Sequence, residues 1–177
     1  MAKESYAGIG SRQTPYLILA DIKKIAQYLA KENYILRSGG ADGADTAFEQ
    51  GCDLEKGEKE IYLPWKSFNH NLSNLYLKSN EIKEEILQQA FELAAKYHPG
   101  WNFLSYGAKC LMARNGMQVL GRNLNDPVSF VVCYNLGGLK KGGTSQALRI
   151  AHDRDIPIFN LSDEDDRKRL LLVVINQ

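Results

Sequence analysis

The sequence predicts an α/β fold with an open, mainly parallel sheet and helices on both faces. Three observations carry that expectation. Three strand–turn–helix signals crowd into roughly the first sixty residues, as right-handed parallel crossovers require. The run Val128-Ser129-Phe130-Val131-Val132-Cys133-Tyr134 is nearly all apolar, the pattern of a central parallel strand covered on both faces. Glycine-rich turns follow the strands and lead into helical periodicity, at Gly8–Arg12, at Ser38–Gly43 and at Gly142–Ser145.

Taken in order, Ser5–Gly10 reads as the first strand. Thr14 can cap a helix whose first position is Pro15, and Ile18, Ile22, Ile25 and Leu29 then share one face to about Lys31. Tyr34–Arg37 is the second strand. Ala44, Ala47 and Phe48 mark the helix that follows its turn, and Glu60–Leu63 before Pro64 is the third strand. Periodicity then lapses from Trp65 to Ser79, where aromatics mix with Asn, Ser and Lys. This excursion, at about 64–79, reads either as a lid or as a surface loop held down by its own side chains. Ile82, Ile86, Ala90, Leu93 and Tyr97 trace the next helix, and His98-Pro99-Gly100 stops it. Residues 106–122 are helical again, with a break or close contact expected at Gly116, because a helix-interior glycine costs about 1 kcal/mol relative to alanine. Beyond the strand at Val128–Tyr134, a helix carries Ala147, Leu148 and Ala151, and Ile156–Phe159 is the last strand. For the run Leu170–Ile175 periodicity leaves edge strand and packed helix both open.

A length of 177 residues with 44% hydrophobic content suits one domain over residues 1–177. The 22 basic and 21 acidic side chains nearly cancel, so no global field marks a nucleic-acid or membrane protein, although a local basic patch is compatible with the count. No apolar run approaches the roughly 20 residues that span a bilayer, and the amino-terminal segment lacks the apolar core of a signal peptide. The expectation is a cytoplasmic protein. Cys52, Cys110 and Cys133 are too few and too widely spaced for a disulfide frame or a zinc site, so no metal is expected.

In an open parallel sheet, ligands collect at the carboxyl ends of the strands near the point where strand order reverses. The three turns occupy that edge. They offer Gly10, Ser11, Arg12, then Ser38, Gly39, Gly40, Gly43, and then Gly142, Gly143, Thr144, Ser145, a set of backbone amides and small donors suited to phosphate and ribose hydroxyls. On this reading Ser38–Gly43 and Gly142–Ser145 supply amides to an anion. Asp42 and Asp45 cannot hold phosphate themselves; they either complement the dipole of the following helix or read a ribose hydroxyl or a base. Neither the lysine-bearing nucleotide loop nor the dinucleotide fingerprint is present in spacing, so no cofactor is expected.

Gly8-Ile9-Gly10-Ser11-Arg12, Ser38-Gly39-Gly40-Ala41-Asp42-Gly43-Ala44-Asp45, Ala113-Arg114-Asn115 and Gly142-Gly143-Thr144-Ser145-Gln146-Ala147 resemble the ordered motifs of the Rossmann-like SLOG superfamily. The likeness is nearest to DprA-like proteins and more distant to the LOG phosphoribohydrolases, and it spans residues 5 to 160. It implies a nucleotide or nucleic-acid phosphate site to which Arg114 and Asn115 also contribute. The LOG pattern carries a glutamate that assists glycosidic cleavage, and here Ala147 stands at that position. Binding of a nucleoside phosphate or ADP-ribose-like ligand without catalysis is therefore the first expectation. The alternatives are a nucleotide N-glycosidic hydrolase using Arg114 with Glu49 or Asp45, and DprA-like single-stranded DNA binding. In the last reading Arg12, Lys66, Arg114, Lys140 and Lys141 track phosphates, and Trp65, Phe68 and Tyr76 stack on bases. A homo-oligomer is included among the expected partnerships.

Overall fold

The computed structural model describes residues 3–175; Met1 and Ala2, at the start of the segment read for a signal peptide, and the last two residues of the tail lie outside them. Five strands form one parallel sheet: β1 (Ser5–Gly10), β2 (Ile35–Ser38), β3 (Lys59–Ile61), β4 (Phe130–Tyr134) and β5 (Ile158–Asn160), in the order β3-β2-β1-β4-β5. The helices are α1 (Tyr16–Lys31), α2 (Ala44–Leu54), α3 (Glu84–Tyr97), α4 (Tyr106–Leu120), α5 (Gly143–His152) and α6 (Glu164–Ile175). The expected α/β architecture is the one observed.

Alternation along the two central strands divides the core. Tyr6 of β1 and Phe130, Val132 and Tyr134 of β4 face α1, α2 and α6 with Phe48, Ile22 and Leu170. Ala7, Ile9, Val131 and Cys133 face α4 and α5 with Val119, Leu148 and Ile150. A third cluster, around Tyr62, Leu87, Ala90, Ala113 and Met117, packs α3 and the excursion onto α4. Because β1 and β4 are buried on both faces, neither can show the polar alternation of a half-exposed strand.

Several local expectations change. Thr14 does not cap α1: its hydroxyl donates to the Ser11 carbonyl (2.6 Å), and Pro15 is the cap residue without a capping side chain. Gly116 does not break α4. Of the two options expected there, the close contact is the one found: a Cβ would lie 2.9 Å from Leu93 Cδ2, where α3 approaches α4. The tail from 164 is a helix, with Leu170 buried and Leu171 and Leu172 exposed. Buried Arg37 joins β2 to its neighbours, donating to Glu60 (2.6 Å), to the Asp126 carbonyl (2.6 Å) and to the Asp126 carboxylate. Among the described residues no helix is long and apolar enough to cross a membrane.

The α1–α2 contact depends on Gly51. A Cβ at Gly51 would sit 2.3 Å from the Lys23 carbonyl oxygen and 2.8 Å from Ala26 Cβ. Gly51→Ala gains about 1 kcal/mol of helix propensity, but overpacking against backbone costs about 1–3 kcal/mol. A net loss of stability is expected in urea denaturation; an alanine variant more stable than the parent would show that the two helices part freely.

Candidate functional site

The glycine turns meet where the sheet reverses direction. β1 and β4 are neighbours, yet the chain proceeds from β1 toward β2 and from β4 toward β5, so the loops leaving them diverge and open a crevice. The crevice holds a cavity of about 560 Å³. Gly10, Ser11 and Arg12 reach it from the β1–α1 loop, Asp45 from α2, Arg114 and Asn115 from α4, and Gly142, Gly143 and Thr144 from the start of α5. Ser38, Gly39, Gly40, Asp42, Gly43 and Ser145, expected at the same site, do not line it.

The first group is organised by Asp45, which is buried at the floor. Its carboxylate accepts from the Ala41 amide (3.3 Å) and is held further by the amides of Gly10 and Gly39. These are amides that the sequence reading offered to a ligand. An internal carboxylate takes them, so the Gly39 and Ala41 amides of the Ser38–Gly43 turn, with that of Gly10, are satisfied within the protein. The turn's glycines serve that closure. A Cβ on Gly39 would fall 1.5 Å from Arg114 Nη1, and Gly43, at φ +79°, has the carbonyls of Ser11 and Arg12 2.7 Å from where a Cβ would be. Ser38 donates to the Gly8 carbonyl (2.6 Å), and exposed Asp42 accepts from Asn69 (3.0 Å).

Arg114 completes the floor. Its guanidinium donates to the Gly39 carbonyl and, at 3.4 Å, to that of Tyr62, and it lies 3.8 Å from the Asp45 carboxylate. Burial pushes the Asp45 carboxyl up to about 6, against the downward pull of Arg114 and the three amides. Burial lowers the Arg114 guanidinium, Asp45 opposes this, and nearby Arg12 lowers it further. Arg12 and Arg114 therefore share one field, and the exposed member, Arg12, is the one available to a ligand.

The opposite wall belongs to α5. Gly142, at φ +96°, precedes the helix and supplies no capping side chain, so the first amides of a ten-residue helix face the crevice. Asn115 fixes this end, donating to the Gly143 carbonyl (3.1 Å) and to Gln146 Oε1 (3.1 Å). Ser145 is fully buried and holds the loop from within: its hydroxyl faces the carbonyls of Gly138 (2.7 Å) and Lys141 and accepts from Asn135 (2.9 Å). Ser11 Oγ accepts from the Gln13 amide (3.0 Å), leaving its own proton to donate outward.

Sequence reasoning did not assign Gln13, Leu111, Met112 and Gln118 to the site, although all four line it. For the last three a signal existed: Leu111, Arg114, Asn115 and Gln118, with Met112 three residues before Asn115, recur at three- and four-residue spacing and so share one face of α4. Phe68 carried no such signal as a pocket residue. It reaches the cavity from the excursion on a turn in which Ser67, Asn69 and His70 all have positive φ (57°, 50° and 59°), each at a cost of about 1 kcal/mol or more. Asn69 ties that turn to the Gly40 carbonyl (3.1 Å), and the Phe68 ring stands 5.8 Å from the Arg114 guanidinium carbon. Glu49 lies elsewhere: its carboxylate accepts from Lys59 (2.9 Å) and Asn71 (2.9 Å) and does not line the cavity. Among the described residues, no group of three His, Cys, Asp or Glu side chains is placed to hold a metal.

The elevated Asp45 pKa sets the sign of a pH effect. A carboxyl at about 6 in the folded chain, against 3.8 when unfolded, binds its proton more tightly in the native state. Its contribution to stability is complete below the unfolded value and is lost as pH rises through the folded one. Relative to Asp45→Asn, the parent is expected to lose about 2 kcal/mol between pH 4.5 and 7.5 in paired urea titrations. A pH-independent difference would place the Asp45 pKa in the ordinary range.

No family model matches the chain, and no curated protein matches it. Among solved structures it is similar to DNA processing protein A from Helicobacter pylori, whose structure was described for its single-stranded DNA binding mode. The two superpose with a TM-score of 0.52 over 95% of this chain and 71% of that one, at 18% identity. The chain thus has the Rossmann-like, DprA-like fold.

Proposed function

We propose that this chain is a DprA-like member of the SLOG superfamily that binds single-stranded DNA, seating one nucleotide unit in the crevice between the β1–α1 loop and the start of α5. The observation that carries this reading is the pairing of open anion donors with an aromatic wall. Exposed Arg12, the Ser11 hydroxyl and the uncapped amides of α5 stand on the phosphate side, and Phe68 offers a ring face on the other. The cavity, at about 560 Å³, is of the size small ligands occupy. The fold shared with a DNA-processing protein whose single-stranded DNA binding mode has been described supports the same reading.

A free nucleoside phosphate is the second reading, favoured by the near-zero net charge and by a cavity that one nucleotide would fill. Hydrolysis has less support. Asp45 is the one carboxylate lining the cavity, and it is committed to backbone amides and to Arg114.

Fluorescence anisotropy of a labelled thymidine oligonucleotide over a salt series tests the proposal. Binding is expected to weaken linearly in log salt, and Arg12→Glu to weaken it about tenfold by reversing the charge nearest the phosphate. Absent or salt-independent binding would sink the proposal. Thymidine monophosphate competing as well as the oligonucleotide, unit for unit, would replace it with the free-nucleotide reading.

A further inference from the structure

The side of the molecule beside the crevice carries a run of aromatic rings that the pocket does not use. Phe68, the pocket wall, meets Trp65 edge to face at 5.2 Å and 90°. Trp65 is 44% exposed, and its Cζ3 lies 3.8 Å from where a Cβ on Gly107 would be, so the indole lies beside the first turn of α4. The neighbouring Tyr106 is 59% exposed and stacks on Phe91 (6.2 Å, 14°), which in turn meets Trp101 (6.3 Å, 74°). Contacts therefore lead from the pocket wall to Trp101, broken only at the Trp65–Gly107 step, where the backbone of α4 bridges to Tyr106.

Cations accompany the rings. Lys78 Nζ stands 5.3 Å over Tyr106, and Lys109 Nζ stands 5.2 Å over Trp101. Lys66 is exposed next to Trp65. The hydrogen bond and electrostatic contact with Tyr106 raise the Lys78 ammonium above its ordinary value, and Glu84 adds to this. Large aromatic surface is seldom left exposed without a binding role. A core-forming partner would match rings and aliphatic side chains, but here ammonium groups are interleaved with ring faces. Planar bases joined by phosphates present that same alternation.

We propose that this aromatic and lysine track, from Trp65 through Tyr106 to Trp101, carries the nucleotides of a single DNA strand that extend beyond the one seated in the crevice. The inference rests on the pocket reading above, because the strand joins the track at Phe68. It assigns the excursion a second role beyond closing the pocket, and it brings in Tyr106, Trp101, Lys78 and Lys109. Tyr76, expected to stack on bases, does not line the cavity and, among the described residues, makes no ring contact with the track, so it takes no part.

Both tryptophans of the chain lie on the track, so intrinsic fluorescence reports on it directly. The full chain is titrated with a thymidine dinucleotide and with an octanucleotide, following tryptophan emission and the anisotropy of labelled oligonucleotides. The octanucleotide is expected to quench emission and to bind about tenfold or more tightly than the dinucleotide. Tyr106→Ala is expected to remove about fivefold or more of that gain while leaving dinucleotide affinity unchanged. Lys78→Glu, at an exposed side chain whose loss leaves the packing intact, is expected to act in the same direction. Equal affinity for the two lengths, or both variants binding the octanucleotide as the parent does, overturns the track. The two readings fail separately. Octanucleotide binding lost in Arg12→Glu but untouched in Tyr106→Ala and Lys78→Glu leaves the pocket without the track, and the reverse pattern leaves the track without the pocket. Quenching by an unrelated basic or apolar peptide, with none by DNA, assigns the surface to a protein partner and overturns the proposal.

Discussion

The site depends on one buried pair, Asp45 and Arg114. Asp45 gathers the amides of Ala41, Gly10 and Gly39, which belong to the turns after two different strands, and Arg114 draws in the Gly39 and Tyr62 carbonyls from α4. A buried carboxylate is tolerable only when amides and a cation surround it, and a buried guanidinium only when carbonyls and an anion do. Each group supplies part of what the other needs. The outcome is a floor that joins β1, β2, α2 and α4 at the place where the sheet reverses.

That pair also decides where an external anion can go. With the Gly39 and Ala41 amides taken by an internal carboxylate and those of Ser11, Gln13 and Thr14 bonded within the protein, the donors left to the crevice are the Ser11 hydroxyl, the Arg12 guanidinium and the first amides of α5. Loops of similar composition thus have opposite roles. One is folded inward as a brace, and the other presents its amides to the cavity.

The near-zero net charge conceals a local imbalance. Five carboxylates are engaged by cations away from the crevice: Glu49 and Asp53 by Lys59, Glu60 and Asp126 by Arg37, and Glu81 by Arg122. Around the cavity and the excursion, Arg12, Lys66, Lys78 and Lys109 form no ion pair among the described residues, and Lys78 and Lys109 lie over ring faces. A count over the whole chain averages these regions together. Recognition of a polyanion depends on the potential at the binding surface, not on the sum.

Local pattern was enough for the architecture. Apolar runs at Ser5–Gly10 and Val128–Tyr134, glycine turns and helical periodicity are local patterns, and they specify a parallel sheet with helices on both faces and its glycine turns at the strand ends. Strand–turn–helix units place their turns on one edge, which brought Gly10–Arg12, Asp45 and Gly142–Thr144 to the crevice, whereas Arg114 and Asn115, in mid-helix, were reached only through the family resemblance. Which polar groups face outward was settled by contacts between distant parts of the chain. Whether an amide is open or already bonded depends on a partner far along the chain, as with Gly39 and Arg114, 75 residues apart, and local pattern holds no information about that pairing. The same holds for Phe68 and Tyr76. Both are aromatics of one aperiodic stretch and both pack against the same core cluster, but the strained turn at Ser67–His70 lets the first also line the cavity, which the second does not.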